Sequence, residues 1–317
     1  MSISIIIPAY NVESYLEEAL ISVFSQNTPP DEVILVNDGS TDHTLAVAEK
    51  FRGCHPNFWI YSTKNNGLGP ARNYGLDKAT CDYVYFFDSD DILIPSFIST
   101  IVEKISRNLQ PDILCFSGKS FLDSGFKSNF FNNYNRNLNG TFDSGIEAFK
   151  QLADHKGLKT SACLYVVKSE FLYNNHLKFK SILHEDEEIL APLFFLAGKT
   201  VVLDDILFLR RVRRGSIMTA NKTINNILGL EESVRSLIFL KENHPEKVAL
   251  GKVYWKKRGQ ELLLNILNTK KIIGHKRLSM DVLKLSASFL DIYFILRIIY
   301  LFLPDKLKAI VRNILGK

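Results

Sequence analysis

The sequence predicts an α/β fold with a mostly parallel sheet, and three observations carry that expectation. Short runs of β-branched or aromatic residues alternate with stretches whose apolar residues recur at helical spacing; each run ends in a polar turn; and the fourth run, Tyr83-Val84-Tyr85-Phe86-Phe87, leads directly into Asp88-Ser89-Asp90-Asp91. Alternating strands and helices imply right-handed crossovers and a parallel sheet, with ligands gathered beyond the carboxyl ends of its strands. With 317 residues, 46% hydrophobic and 23% charged, the chain can build one sizeable core and a smaller second unit.

Residues 3 to 7 (Ile-Ser-Ile-Ile-Ile) form the first strand, and Pro8-Ala9-Tyr10-Asn11 ends it. Val12, Tyr15, Leu16, Ala19, Leu20 and Val23 then repeat at helical spacing. A second strand at residues 32–36 passes through Asn37-Asp38-Gly39-Ser40-Thr41-Asp42 into a helix that runs through Ala48. The third, Phe58-Trp59-Ile60-Tyr61, leads through Asn65-Asn66-Gly67 to a helix containing Arg72. Tyr10, Asp38, Asn66 and Asp88 therefore all open onto one sheet edge, the expected ligand crevice.

No Gly-x-Gly-x-x-Gly follows the first strand and no Walker lysine motif occurs, which argues against a dinucleotide dehydrogenase or a P-loop enzyme. Phosphates would have to be held by metal and arginines. Asp88, Asp90 and Asp91 crowd negative charge that a divalent cation would relieve, and hard oxygen ligands two residues apart suit Mg2+ or Mn2+. The competing reading is a simple turn at Asp88 and Ser89, with Asp90 or Asp91 capping a helix that starts near Pro95.

Residues 110–145, with Phe130-Phe131-Asn132-Asn133-Tyr134-Asn135-Arg136-Asn137, read as a hairpin or loop region whose aromatics face either an acceptor or the core. A helix is expected over 144–155 and a buried strand over Ala162-Cys163-Leu164-Tyr165-Val166-Val167. His184-Glu185-Asp186-Glu187-Glu188 precedes an apolar run, and acids that open a helix are favourable at its N-terminus whatever else they do. After a strand at 200–203 come Arg210, Arg211, Arg213 and Arg214 beside Gly215-Ser216, either a solvated basic face or a phosphate clamp.

From Ile224 the pattern turns helical, with breaks at His244-Pro245, near Gly274 and at Pro304. Residues 251–317 carry 14 Lys and Arg against 4 Asp and Glu, hence +10, and the preceding 250 residues carry −5. A basic end suits an anionic partner. The apolar stretch 289–303 is shorter than the roughly 20 residues a membrane span needs and includes Asp291 and Arg297. It reads as a helix buried against the main body or as an interfacial helix on an anionic membrane surface, aided by Lys306, Lys308 and Arg312. No nucleic-acid-binding motif accompanies the charge. The N-terminus enters the first strand without a signal-peptide pattern, so a cytoplasmic, membrane-peripheral protein is expected. Cys54, Cys81, Cys115 and Cys163 show neither zinc nor redox spacing and read as reduced packing residues.

Four motifs, Ser4-Ile-Ile-Ile-Pro-Ala-Tyr-Asn11, Val36-Asn-Asp-Gly-Ser-Thr-Asp42, Asn66-Gly-Leu-Gly-Pro-Ala-Arg-Asn73 and Phe87-Asp-Ser-Asp-Asp91, together resemble the family 2 glycosyltransferases of the GT-A fold in order and spacing. The resemblance implies a Rossmann-like, mostly parallel sheet in residues 1–220, which bind a nucleotide sugar and catalyse transfer, and a helical, basic extension in 221–317. It implies a donor site of Pro8, Ala9, Tyr10, Asp38, Asn66, Gly67, Arg72, Asp88 and Ser89. Asp90 and Asp88 would hold Mn2+ or Mg2+, with Asp90 the more direct ligand.

Inverting members carry a Glu-Asp pair where this chain has Glu185 and Asp186, which makes Asp186 the general base and Glu185 a support of the acceptor site, with Glu187 as an alternative base. The Arg-x-Arg-x-Gly-Ser segment of the family, which closes over the donor pyrophosphate, matches Arg211, Arg213 and Ser216, leaving Arg210 and Arg214 without a role. The implied activity is inverting transfer from a UDP-hexose or UDP-N-acetylhexosamine to a glycan or lipid-linked acceptor in bacterial capsule, O-antigen or related polysaccharide synthesis. Two rival classes differ in sequence. A sugar-1-phosphate nucleotidyltransferase would open with a Gly-rich basic loop in place of Pro8-Ala9-Tyr10, and a silent membrane scaffold would have lost Asp88, Asp90 or Asp186.

Overall fold

A computed structural model describes residues 1–107, 110–126, 133–216, 220–274 and 286–302. Its centre is a run of parallel strands: β1 (Ile3–Ala9) lies between β2 (Glu32–Asn37) and β4 (Tyr83–Phe86), and β3 (Phe58–Ser62) adds to the outer side of β2. Every residue of β1, β2 and β4 is buried, as near-continuous apolar runs in a two-sided parallel sheet should be. Helices α1 (Leu16–Phe24), α2 (Thr44–Arg52) and α3 (Leu68–Lys78) make the crossovers, each entered from a polar turn after the preceding strand.

Beyond β4 the direction alternates. β9 (Tyr165–Lys168) runs antiparallel to both β4 and β6 (Ile113–Leu122), whereas β10 (Thr200–Val212) runs parallel to β6. Short β5 (Ile92–Leu93) closes the far edge on β10, while β7 (Asn133–Tyr134) and β8 (Gly140–Phe142) pair off the path with β6 and β10. The α/β fold with a mostly parallel central core stands as expected.

Two expectations change. Residues 110–145, read as hairpin or loop, contain the central strand β6, whose first six residues are buried. The apolar Ile113-Leu114-Cys115-Phe116 run is a normal buried strand beside an Asn- and Gly-rich segment that masks its pattern. Phe130, Phe131 and Asn132 lie outside the described residues. The strand expected from Ala162 starts only at Tyr165, because Ala162–Leu164 is a single 3-10 turn. The carbonyls of Cys163 and Leu164 accept from Tyr85 Oη at 3.0 Å and Arg136 Nη2 at 3.0 Å instead of entering a ladder.

Helix α4 (Phe97–Arg107) follows β5, and α5 (Gly145–Asp154) starts with Ser144 capping the Glu147 amide. Then come α6 (Ser169–Asn174) and α7 (Glu185–Leu196). The C-terminal helices α8 (Ile224–Asn243) and α9 (Pro245–Leu250) pack onto α7, α10 (Lys252–Ile273) packs onto α8, and Val234, Leu237, Trp255 and Ile266 share one apolar cluster with the sheet. The break at His244-Pro245 falls where expected, with proline opening α9.

The apolar stretch near the end divides by side. Phe289 packs against Trp255 with ring centres 4.6 Å apart and Phe294 is buried, whereas Ile292 and Tyr293 of α11 (Ile292–Phe302) face solvent. Among the described residues no helix is long and apolar enough to cross a membrane. The break at Pro304 and the tail residues Lys306, Lys308 and Arg312 lie outside the described residues.

Candidate active site

Because β1, β2 and β4 are parallel, their carboxyl ends deliver three short segments to one edge of the sheet. A cleft of about 800 Å³ opens there, floored by Pro8, Ala9, Tyr10 and Asp38, with Asp88, Ser89, Asp90 and Asp91 on one wall. Glu185 and Asp186 at the start of α7 form the opposite wall, and Arg210, Arg211, Arg213 and Ser216 come in from the end of β10. Residues separated by more than 200 positions, from Pro8 to Ser216, thus meet in one place.

Several of the expected site residues turn out to organise the cleft. Asp38 is buried, and its carboxylate accepts from Thr63 Oγ1 at 3.2 Å, the Asn66 amide at 3.0 Å and the Gly67 amide at 2.8 Å. It pins the turn in which Gly67 adopts a φ of 95°, a conformation that glycine takes without steric cost. Asn65 and Gly67 line the cleft; Asn66 is not among its lining residues, and its carbonyl accepts from Ser181 Oγ at 2.9 Å.

Arg72, 2% exposed, spans the two walls. Its Nη1 donates to Glu185 Oε1 at 2.5 Å and its Nη2 to Asp88 Oδ1 at 2.9 Å, and its Cζ lies 5.2 Å from the centre of the Phe179 ring. Burying one cation between two carboxylates makes both depend on it, since removal of Arg72 would leave Asp88 and Glu185 without the charge they share. Burial opposes ionisation of Asp88, but Arg72 and then Arg210 outweigh it and hold the carboxyl below its usual range.

The Asp88 to Asp91 segment closes as a turn, with the Asp91 amide donating to the Asp88 carbonyl at 3.2 Å. Neither Asp90 nor Asp91 caps a helix, because β5 intervenes before α4. Arg211 clamps this turn from β10: its amide donates to Asp91 Oδ1 at 2.7 Å and its Nε to the Asp90 carbonyl at 2.8 Å, with Nη1 on Asp123 at 3.1 Å and Nη2 on Glu18. Arg213 Nε donates to Asp90 Oδ2 at 2.6 Å. Arg210, given no role by the sequence, lies 3.5 Å from Asp88 Oδ2, donates to Ser161 Oγ at 3.0 Å and lines the cleft. Its place as next neighbour of a matched arginine in a strand was the one available signal.

The carboxylates fit a hard divalent cation. Asp91 is buried, and among the described residues its Oδ2 has no hydrogen-bond partner; burial and then neighbouring Asp90 push its pKa well above the ordinary range. Ligand atoms of Asp88, Asp91 and Cys163 lie within 4.8 Å of one another. Cys163 is therefore a buried thiol at the back of the carboxylate cluster, and Cys54 is exposed instead of packed.

On the α7 wall, Asp186 Oδ1 accepts the Glu187 amide at 2.9 Å. Burial and then Glu185 raise its pKa to about 7. Glu187, the alternative base, is paired with Arg258 of α10 and is not among the residues lining the cleft.

Residues 4–152 match the sequence family described as Glycosyl transferase family 2. The chain is 30% identical over 221 residues to Glycosyltransferase GlyA of Streptococcus pneumoniae serotype 4, covering 68% of this chain and 31% of that protein. It is 28% identical over 254 residues to the minor teichoic acid biosynthesis protein GgaB of Bacillus subtilis, covering 78% and 27%. The chain thus spans about a third or less of the length of these two relatives. Residues 1–349 of S. aureus TarS in complex with UDP-GlcNAc superpose with a TM-score of 0.63 at 22% identity, over 85% of this chain and 72% of that one. The mannosyltransferase PcManGT of Pyrobaculum calidifontis, in complex with GDP-Man and Mn2+, gives 0.56 at 15% identity, over 90% and 78%. These likenesses show the GT-A fold.

Proposed function

Because residues 4–152 make this chain a member of glycosyltransferase family 2, we propose that it moves a sugar from a nucleotide donor to a hydroxyl of a glycan or lipid-linked acceptor, with inversion and with Mn2+ or Mg2+. The donor is a UDP-hexose or UDP-N-acetylhexosamine, and the product belongs to a bacterial surface polysaccharide. The observation that carries the reading is the buried guanidinium of Arg72, which joins the Asp88 turn to Glu185 beside Asp186 in one cleft. Further support comes from the UDP-GlcNAc and Mn2+ in the complexes of two structural neighbours and from the teichoic acid role in the name of GgaB.

In this reading Pro8, Ala9 and Tyr10 take the base, and Asp38 shapes the Asn66-Gly67 turn while keeping one of its roughly four acceptor positions for the ribose or base. Asp88 and Asp90 hold the metal, which when bound stabilises charge on the departing nucleoside diphosphate as a Lewis acid. Ser89 lies between them on the donor wall. Arg213 and Ser216 approach the diphosphate, whereas Arg211 acts through the aspartate turn it clamps and Arg72 through the two carboxylates it joins. Asp186 removes the proton of the acceptor hydroxyl as its oxygen attacks the anomeric carbon from the face opposite the leaving phosphate. Glu185, neutralised by Arg72, supports the acceptor side. The basic C-terminal end, +10 over residues 251–317, seats the protein on an anionic membrane surface at the inner face of the plasma membrane.

Calorimetric titration of UDP, GDP and CMP, each with and without Mn2+, tests the donor reading. Metal-dependent binding of UDP alone supports it; preference for GDP or CMP would replace the donor class, and absence of any metal-dependent binding would sink the enzymatic reading in favour of a scaffold.

A further inference from the structure

His184, immediately before the two acids of the α7 wall, is held in a single chemical form by its neighbour on α8. Asn226 forms a capping box with Thr223: its Oδ1 accepts from the Thr223 amide at 2.7 Å and faces Thr223 Oγ1 at 3.3 Å. A backbone N–H can only donate, so the oxygen end of that amide is fixed on Thr223 and the NH2 end faces away. That NH2 group is 3.2 Å from His184 Nε2. Since an amide NH2 can only donate, Nε2 must be the accepting nitrogen, and the proton of a neutral imidazole is on Nδ1.

The backbone supports the same assignment of purpose. His184 has a φ of 66°, the left-handed region, which carries a cost for a residue other than glycine and persists only where surroundings enforce it. Gly229 of α8 packs against the residue just before His184, so close to the Leu183 carbonyl that a Cβ would lie 1.7 Å away. Among the described residues Nδ1 has no hydrogen-bond partner, and His184 lines the cleft with Asp186. Burial and then Lys222 lower the His184 pKa, in keeping with a neutral ring.

We propose that His184 is an acceptor-binding residue whose Nδ1–H donates to an oxygen of the acceptor sugar beside the hydroxyl that Asp186 deprotonates. The Asn226 amide locks the tautomer that makes this donation possible. The inference rests on the reading of Asp186 as the base, and it selects an acceptor with an oxygen next to the reacting hydroxyl, as in a sugar ring diol.

The test uses the whole chain labelled with 15N-histidine, with the His184 resonances assigned by their loss in His184→Asn. Long-range proton–nitrogen correlation at pH 7.5 should show a neutral ring protonated at Nδ1; a ring protonated at Nε2 would overturn the proposal. The kinetic arm follows UDP-sugar turnover in the presence of methyl glucoside, methyl galactoside and methyl N-acetylglucosaminide, separating glycoside product from donor hydrolysis by water. His184→Ala should raise the apparent KM for the methyl glycoside about tenfold, the loss expected for one hydrogen bond, with donor hydrolysis and UDP affinity unchanged. His184→Asn, whose amide NH2 falls near Nδ1, should restore most of it. An unchanged KM in His184→Ala, or equal losses in glycoside transfer, hydrolysis and UDP affinity, would overturn the proposal. Failure of the underlying reading shows separately, as a wild-type protein that neither binds UDP nor turns over a UDP-sugar.

Discussion

Replacing Asp186 with asparagine should abolish transfer and at the same time stabilise the fold above neutral pH. The carboxyl is moved by burial and then by Glu185 from an ordinary 3.8 to about 7. A carboxyl whose folded pKa lies above its unfolded one favours the protonated fold. That contribution is complete below pH 3.8 and is lost as pH rises through 7. Each pH unit between the two values is worth about 1.4 kcal/mol, so between pH 5 and pH 8 the wild type should lose up to about 3 kcal/mol relative to a side chain of equal shape that cannot ionise. Partial exposure of Asp186 makes this a ceiling, and about half of it is a reasonable expectation. Thermal unfolding of Asp186→Asn and wild type at pH 5 and pH 8 reads it directly, as a melting-temperature advantage for the variant that widens by a few degrees at the higher pH. Transfer should meanwhile fall by about 10² to 10⁴, the usual contribution of a general base, with metal-dependent UDP binding nearly intact. In the wild type, transfer should decline below pH 7 as the base takes up its proton. Transfer retained within tenfold would refute the base assignment, and a stability gap that does not widen with pH would refute the burial argument.

Asp90→Asn should weaken Mn2+-dependent UDP binding at least tenfold in calorimetry while leaving metal-free nucleotide binding little changed, because it withdraws one hard oxygen ligand. Arg72→Met leaves Asp88 and Glu185 without their shared cation, so chemical denaturation should show a loss of about 3 to 5 kcal/mol; a loss under 1 kcal/mol would mean the carboxylates find other partners. Gly229→Ala forces α8 off the Leu183 carbonyl and should cost about 1 to 3 kcal/mol, with acceptor transfer falling more than donor hydrolysis because the displaced loop carries His184.

The donor half of the molecule was readable in sequence because its signals are local. A parallel strand buried on both faces is a short apolar run, the turn after it must be polar or glycine-containing, and the next helix declares itself by its period. Four such units in a row placed Tyr10, Asp38, Asn66 and Asp88 at one edge, and of these only Asn66 is absent from the residues lining the cleft, its neighbour Gly67 standing there instead. The middle of the chain was less legible. β6 takes its place from pairing with β9 and β10, partners about 50 and 90 residues away, and a polar flank concealed its own apolar run. Arg136 gave no sign of being fully buried, because a guanidinium enters a core only where several distant carbonyls, here those of Phe116, Gly157 and Leu164, happen to converge.

Residue type and order along the chain determined the α/β class, the family motifs and the acids at the start of α7. What each charged group bonds to was decided by tertiary structure alone. Arg72 and Arg211 were expected on the nucleotide, yet their guanidinium groups are engaged by the Glu185 and Asp88 carboxylates and by the Asp90 turn, Asp123 and Glu18. Glu187 and Asp186 are adjacent in sequence, but the helical turn sends one to Arg258 on α10 and leaves the other in the cleft. The physical reason is range. Propensity and periodicity act over a few residues, whereas a buried charge is settled by whichever opposite charge the fold brings within about 4 Å, wherever that partner lies in the chain.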